Sequence, residues 1–425
     1  MTATSTTTPP SSAPKVRPRA LLRASGGPRY AGALAVDALG TGLLRPFLLL
    51  YGVTVLGLSA SATGLAMTAG IVIGLLCVPA VGWWLDRGAR SSVVAAAMLV
   101  RVLGVGVLVA TPSGHVWLFA AAALLLGIGN QAWPAAHAAL VATLAHGRER
   151  DTALAAGRAL RNAGLGAGAL LAMVCLAGGT AALQALAGVT GVAYLAAAVL
   201  AWSVRVRAEG PGTGADRSAS AGAAGREGTP PRMRALLAAN VVYVFCLNVP
   251  EIALPLVLLT QLHASPVWSA AVFVTNTVLV VTLQVPVTVL MARYARRTAL
   301  VIAGVVLATS YLGFLAVTLL GEGDGHGRGW AAAGIAAVSV VCTLGEIVYT
   351  GSATALVTAL APSRALGRTL ARFELSSGFG LAISPAVITA LAPHGPTALW
   401  GTLAAATLVS ASAVAAEAEP AAQTG

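Results

Sequence analysis

Apolar runs of helical length alternate along this chain with short polar or Gly/Pro-rich breaks. In the first half the runs cover residues 30–56, 62–84, 93–110, 116–136, 154–176 and 182–204; in the second half they cover 235–258, 268–291, 299–320, 330–349, 370–391 and 398–415. A helix crossing a hydrocarbon core about 30 Å thick needs ~20 mostly apolar residues, so each run predicts one span and the set predicts twelve. Between the sixth and seventh runs stands EGPGTGADRSASAGAAGREGTPP, a Gly/Ser/Ala/Pro stretch with too little apolar surface to pack. The pattern predicts an all-α membrane protein of twelve transmembrane helices in two six-helix bundles, residues 29–204 and 234–416. A cytoplasmic linker over 205–233 joins them, and tails over 1–28 and 417–425 flank them.

Composition excludes a soluble alternative. Of 425 residues, 57% are hydrophobic and 9% charged, with mean hydropathy +0.83, whereas a soluble domain carries roughly a quarter charged residues. The net charge of +12 does not point to nucleic acid, because the basic residues punctuate apolar runs instead of gathering on one face. They read as topology signals. With the N-terminus inside, the cytoplasmic segments collect Lys15, Arg17, Arg19, Arg23 and Arg29, then Arg87 and Arg90, Arg148 and Arg150, the arginines from 205 to 234, Arg293, Arg296 and Arg297, and Arg364 and Arg368. The external loops hold only Arg328. This asymmetry follows the positive-inside rule and places both termini of a multi-pass cell-membrane protein in the cytoplasm. The N-terminal tail lacks the apolar run of a signal peptide, and the first apolar stretch is too long for a cleaved one. Cys77, Cys175, Cys246 and Cys342 each lie in an apolar run without CxxC spacing and read as small buried hydrophobes.

The halves echo each other at matching places, as transporters built from repeats do. WWLDRGARSS follows the second run and VLMARYARRT the eighth, so Arg87 falls beside Arg293 and Arg90 beside Arg296. GRALRNAG opens the fifth run and GRTLARFE the eleventh; Pro46, before FLLLY, matches Pro255, before LVLLT. At these residues the chain resembles the major facilitator superfamily over all but its tails and linker. The most specific element is the loop after the second span, where Gly82, Asp86, Arg87 and Arg90 fit the family pattern, with Ala89 and Ser91 standing where the pattern has Gly and a basic residue. The resemblance implies that this loop is a conformational latch, its Asp beside the N-terminus of a second-half helix and its Arg in a charge relay. A carboxylate gains about 0.3 to 1 kcal/mol at such a terminus, a suitable size for a contact that breaks in each cycle. The first span, VDALGTGLLRPFLLLY, is similar to that of twelve-span drug and metabolite exporters. The fourth, GIGNQAWPAAHAAL, keeps Gly127, Gly129 and Pro134 but lacks the upstream Arg of many exporters, and the fifth lacks the Gly-Pro element of proton-coupled antiporters.

An ionisable group near the bilayer centre costs at least ~2.5 kcal/mol and so normally faces a cavity or a partner. Asp37, Arg45, Arg101, Glu251 and Glu346 lie well inside predicted spans. Asp37, Thr41 and Arg45 share a broad face of the first helix at i, i+4 and i+8. Glu251 is on the seventh helix, the first helix's counterpart, and the resemblance implies that both line a central cavity. A carboxyl placed there can take up and release a proton between conformations. Asp37, Glu251 and Glu346 are therefore the candidate proton-coupling residues; the competing reading is fixed pairs of Asp37 and Glu346 with Arg45 or Arg101. Arg158, Arg161 and Asn162, opening the fifth helix, and Arg372 and Glu374, opening the eleventh, are candidate gate residues, unless the long side chains only snorkel to the interface. Thr41, Asn240, Asn248, Asn276 and Gln284 are candidate substrate contacts, with neutral interhelical hydrogen bonds as the competing reading. Trp83, Trp84, Trp202 and Trp330 read as interfacial anchors.

Gly164, Gly166 and Gly168 lie in an apolar helix with no phosphate-loop motif and predict close helix packing. His115, His146, His263, His326 and His394 fall near loops and His137 close to a span, none with metal-ligand spacing, so neither metal nor cofactor is expected. Glu322, Asp324 and His326 read as a solvated turn, not a catalytic cluster, so no enzyme is expected; an ATP-driven permease would need a separate nucleotide-binding partner. The leading reading is a monomeric secondary active transporter, exporting a small lipophilic compound in exchange for protons by alternating access. The alternative on the same fold is an importer or exchanger of a small metabolite or organic anion, bound by Arg45 and Arg101.

Overall fold

A computed structural model of the chain describes residues 27–88, 90–175, 179–204, 233–321 and 328–416. The tails through residue 26 and from 417, the linker through residue 232, Ala89 and the turn holding Glu322, Asp324 and His326 lie outside the described residues. In chain order the helices are α1 (Gly27–Leu44), α2 (Ala60–Asp86), α3 (Arg90–Ala110), α4 (Val116–Leu144), α5 (Gly147–Cys175), α6 (Gly179–Ser203), α7 (Arg234–Thr260), α8 (Pro266–Met291), α9 (Arg296–Gly321), α10 (Arg328–Leu360), α11 (Leu366–Leu391) and α12 (Thr397–Ala416). Local chemistry sets several ends. Ser59 caps α2 by accepting from the Ala62 N–H at 3.2 Å, satisfying one of the donors a helix start leaves free. Gly88, at φ +85°, takes a left-handed conformation that glycine adopts at no steric cost, so the chain turns back into α3.

Among the described residues, ten helices are long and apolar enough to cross a membrane, or eleven when α1 and its bent continuation Leu48–Val55 count as one. The expected count was twelve, and α5 makes the difference. It is 29 residues long, but Arg148, Glu149, Arg150, Asp151, Arg158 and Arg161 dilute its apolar stretch. Two of the spanning helices are also interrupted. α1 bends by 47° before its continuation, at Arg45–Phe47, where Pro46 removes a backbone donor and its ring disfavours the preceding helical turn. α7 passes through a 3-10 turn at Val244–Asn248 and a π turn at Val249–Ala253, around Pro250.

Helices α1 to α6 pack chiefly on one another, α1 on α5 and α6, α2 on α4, and α3 on α4 and α6; α7 to α12 do likewise. The halves meet where α2 crosses α11, where α5 crosses α8, and where α4 and α5 approach α10 and α11. Glycine permits the closest crossings. A Cβ on Gly127 would run into the backbone of α2 at Gly70, and one on Gly168 into the backbone of α1 at Leu39. The outer surface is apolar, with Leu76 70% and Val174 75% exposed, as lipid contact allows and water does not. Trp83, Trp84, Trp202 and Trp330 are exposed as well.

Candidate functional site

Polar contacts between the halves gather at one end of the molecule. α2 delivers Asp86 to the start of α11, and Gly82 lets the helices touch, since a Cβ there would press on Ala371 and the Gly367 carbonyl. Asp86 Oδ1 accepts from the Gly367 N–H at 2.6 Å and Oδ2 from Arg368 Nε at 2.7 Å. The carboxylate thus meets the unpaired N–H groups and positive dipole end of a helix. Arg87 lies over the Trp83 ring, 3.3 Å from its centroid, and Arg90 donates to Thr143 of α4. Beside this contact, Asp151 at the start of α5 pairs with Arg296 at the start of α9 at 2.8 Å. Arg150 donates to the Thr358 carbonyl of α10 at 3.2 Å.

A second cluster is buried inside the first half. Asp37 and Arg101 are both fully buried and pair at 2.6 Å, while Arg161 of α5 approaches the other carboxylate oxygen at 3.5 Å. Arg101 also reaches Asn130 at 3.5 Å and lies over the Tyr194 ring at 4.7 Å. The Tyr194 hydroxyl donates to Thr41 at 3.1 Å. Arg45 does not join this cluster. The break at Pro46 intervenes, leaving Arg45 exposed while Arg101 is fully buried. Arg45 stands instead within electrostatic range of Glu251 and Arg161, and Glu251, also exposed, within range of Glu346. Of the four residues Asp37, Arg45, Glu251 and Glu346, Asp37 is fully buried in its pair with Arg101, Arg45 and Glu251 are exposed, and Glu346 lines the cavity between the halves.

Between the halves lies a cavity of about 300 Å3. From the first half it is lined by Trp133 and His137 of α4 and by Arg158, Arg161 and Asn162 of α5; from the second half by Gln284, Glu346, Tyr349 and Glu374, among others. Arg161 lies over Trp133 at 4.3 Å, Trp133 stacks on His137 at 4.9 Å, and His137 Nδ1 shares a 2.9 Å hydrogen bond with the Tyr30 hydroxyl. This ladder holds Arg161 between Asp37 and the cavity. Across from it, Glu346 accepts from Asn276 Nδ2 at 2.9 Å. Among the described residues, Arg158 and Glu374 take part in no ion pair or hydrogen bond, although they lie within electrostatic range of each other. Arg372 is exposed outside the cavity lining.

The candidate substrate contacts divide. Asn240 donates to Ser376 and Ser377, both at 2.8 Å, and accepts from Tyr349 at 2.7 Å, tying α7 to α10 and α11. Asn248 donates to Ser384 at 2.5 Å, and Asn276 donates to Thr343 at 3.0 Å as well as to Glu346. Gln284 donates to the Ile347 carbonyl at 3.3 Å and lines the cavity too.

Paired repeats, a cavity between the halves and a latch-like contact at one end lead to a comparison with known families. Residues 30–385 match the Major Facilitator Superfamily. The chain belongs to this superfamily. It is thus a multi-pass membrane protein and a secondary transporter that moves small molecules across the membrane, a transport protein and not an enzyme. No curated protein matches its sequence significantly. Among solved structures, the human organic anion transporter MFSD10 (TETRAN) is similar with a TM-score of 0.67 and 16% identity, over 94% of this chain and 100% of that one. A bacterial homologue of the iron transporter ferroportin in an outward-facing state gives 0.70 and 12%, over 91% and 98%. The E. coli fucose:proton symporter FucP gives 0.64 and 12%, over 91% and 95%. At these identities the likeness is one of fold.

In this superfamily member the sequence reading passed over Trp133, His137, Tyr349 and Asp151. His137 carried a signal, as an ionisable residue three positions from Pro134 in an apolar run. Asp151 carried another, since the start of α5 is the repeat of the start of α11, where Asp86 makes its contact. Among the described residues no group of three His, Cys, Asp or Glu side chains is placed to hold a metal ion.

Proposed function

We propose that this transporter carries a small organic anion or anionic metabolite, as an importer or exchanger, with the proton as coupling ion. The observation that carries this reading is that Arg158 and Arg161 both line the cavity between the halves. A guanidinium matches a carboxylate or phosphate with two parallel hydrogen bonds, and Arg161 is held ready by Asp37 and Trp133. Glu346 is the proposed coupling carboxyl. It lies at the cavity wall with the neutral Asn276 as its hydrogen-bond donor, so it exchanges a proton without breaking an ion pair. In names alone, the human relative moves organic anions and FucP moves fucose with protons, which supports both choices.

The proposed cycle is alternating access by two six-helix bundles, with α5 as the twelfth span, both termini cytoplasmic and one chain as the working unit. The polar contacts of Asp86, Arg150 and Asp151 then close the cytoplasmic side in the state described here, and Arg158, Asn162 and Glu374 stand just above that closure as the gate. A second reading, proton-coupled export of a lipophilic compound, is favoured by the exporter-like first span and by Val244, Leu247, Phe373 and Leu381 in the cavity lining.

Vesicles containing the purified protein and bearing a proton gradient test both. Aromatic and aliphatic carboxylates and a set of lipophilic cations are offered in parallel. Carboxylate transport is expected, with at least about a tenfold loss in Arg158→Gln, the worth of one charge-assisted contact. Glu346→Gln is expected to retain exchange while losing its response to the gradient. Movement of the lipophilic cations with none of the carboxylates would replace this reading by the exporter.

A further inference from the structure

Charge is divided across the cavity by half. The first half contributes Arg158, Arg161 and His137, and the second half Glu346 and Glu374. Two of the four formal charges are already engaged, Arg161 by Asp37 and Trp133 and Glu346 by Asn276. Arg158 and Glu374 are not. Both are half-buried and within electrostatic range, yet among the described residues no ion pair joins them. Two opposite charges facing one cavity from opposite halves, each with hydrogen-bonding capacity unused by the protein, are available to a bound molecule.

Resting on the anion-transport reading, we infer that the substrate is zwitterionic, its anionic group on Arg158 and its cationic group, an amine, on Glu374. The bound molecule then supplies the ion pair that the protein lacks and bridges α5 of the first half to α11 of the second. Such a bridge gives the substrate a direct hold on both halves, so that binding favours the conformation in which they close around it. A simple anion on Arg158 would leave the Glu374 carboxylate without a partner. A simple cation on Glu374 would leave the Arg158 guanidinium without one. The cavity volume suits a small molecule with both groups, at the lower end of ligand-site sizes.

The test uses the purified full-length protein and the series of ω-amino acids from glycine to 6-aminohexanoate, with 4-(aminomethyl)benzoate. Each is compared with its N-acetyl form, an anion only, and its methyl ester, a cation only. Binding is read from the shift of thermal unfolding and from competition for uptake in vesicles. At least one zwitterion is expected to bind about tenfold or more tightly than both derivatives, the worth of one charge-assisted contact. Glu374→Gln is expected to abolish the preference over the N-acetyl form while leaving N-acetyl binding intact, and Arg158→Gln to abolish the preference over the ester. If Glu374→Gln does not fold, Glu374→Asp probes the same contact, because its shorter arm must move the preference to longer zwitterions. No zwitterion binding more tightly than its derivatives, silence across the panel included, overturns the inference. N-acetyl anions binding as well as the zwitterions overturns it while the anion reading stands; binding of esters alone overturns both.

Discussion

Asp37 shows how a charge is kept inside a membrane protein. Its carboxylate and the Arg101 guanidinium are fully buried and 2.6 Å apart, so neither has water to fall back on. Removing one partner of a buried pair costs about 3–5 kcal/mol because the other charge is stranded, whereas replacing both by groups of similar volume is often neutral or favourable. Asp37→Asn is therefore expected to lower the thermal unfolding midpoint in detergent strongly, and Asp37→Asn with Arg101→Met to recover most of the loss. A single variant as stable as the parent would show that the pair does not hold α1 to α3. The same cost explains what could be read at this scale without a structure. In apolar runs a formal charge stands out, and Asp37, Arg101 and Glu346 were visible for that reason. Which partner each acid takes was left open between Arg45 and Arg101, because a helix face leaves several candidates and the choice among them is made by packing. Asp37 lies near Arg45 in sequence yet pairs with Arg101 of α3. His137 carries no formal charge when neutral, and its partner Tyr30 is 107 positions away.

Helix against helix, the decisive side chain is often the one that is missing. α2 and α4 cross with the backbones in contact at Gly70 and Gly127, so any side chain at the crossing must separate them. Gly127→Val is expected to cost about 1–3 kcal/mol, the usual price of overpacking. Gly106 of α3 is the control, since a Cβ there meets nothing within 4 Å. Gly106→Ala is expected to leave stability unchanged or raise it by up to about 1 kcal/mol, through helix propensity alone. Equal losses from the two changes, measured by thermal unfolding, would show that the crossing does not depend on contact at Gly127. All twelve runs are read from apolar length, because lipid imposes one requirement on every helix it touches; among the described residues ten of the helices, or eleven with α1 and its bent continuation counted as one, are long and apolar enough to cross a membrane. α5 carries its arginines and Asp151 into the contact between halves, where the requirement is partners instead of apolarity, and its pattern is correspondingly weak. The same contact explains why α4 and α10 continue to Leu144 and Leu360, beyond the residue 136 and residue 349 ends expected from the apolar runs. The breaks in α1 and α7 were announced by Pro46 and Pro250, but a sequence does not show whether a helix bends or absorbs its proline, as α4 absorbs Pro134.

For the whole molecule, the question is what holds one end shut. In the proposed cycle two contacts do so, both at the ends of repeat-related helices, with the acid from the first half in each. In one, the acid that ends α2, Asp86, meets Gly367 and Arg368 at the start of α11; in the other, the base that opens α9, Arg296, meets Asp151 at the start of α5. Arg368 is 43% and Arg296 31% exposed, so solvent screens both pairs and each is worth at most about 1 kcal/mol. That is small enough to break in every cycle. The contacts share no residue, so their effects should add. Asp86→Asn and Asp151→Asn are each expected to raise the open population up to about fivefold, since 1.4 kcal/mol is a factor of ten, and the double variant to raise it by the product. The readout is the rate at which a membrane-impermeant thiol reagent, applied from the closed end, modifies Thr354→Cys in the cavity lining, with the four native cysteines replaced. Raising the salt concentration should speed labelling of the parent and leave the double variant nearly unaffected, because screening acts only on charges still present. Exchanging the partners, Asp151→Arg with Arg296→Asp, should restore slow labelling where Asp151→Asn does not. If the double variant labels no faster than either single one, the closure is held by the apolar crossing of α2 and α11 instead, and Leu75, which fills the space beside Gly378, becomes the residue whose truncation must open it.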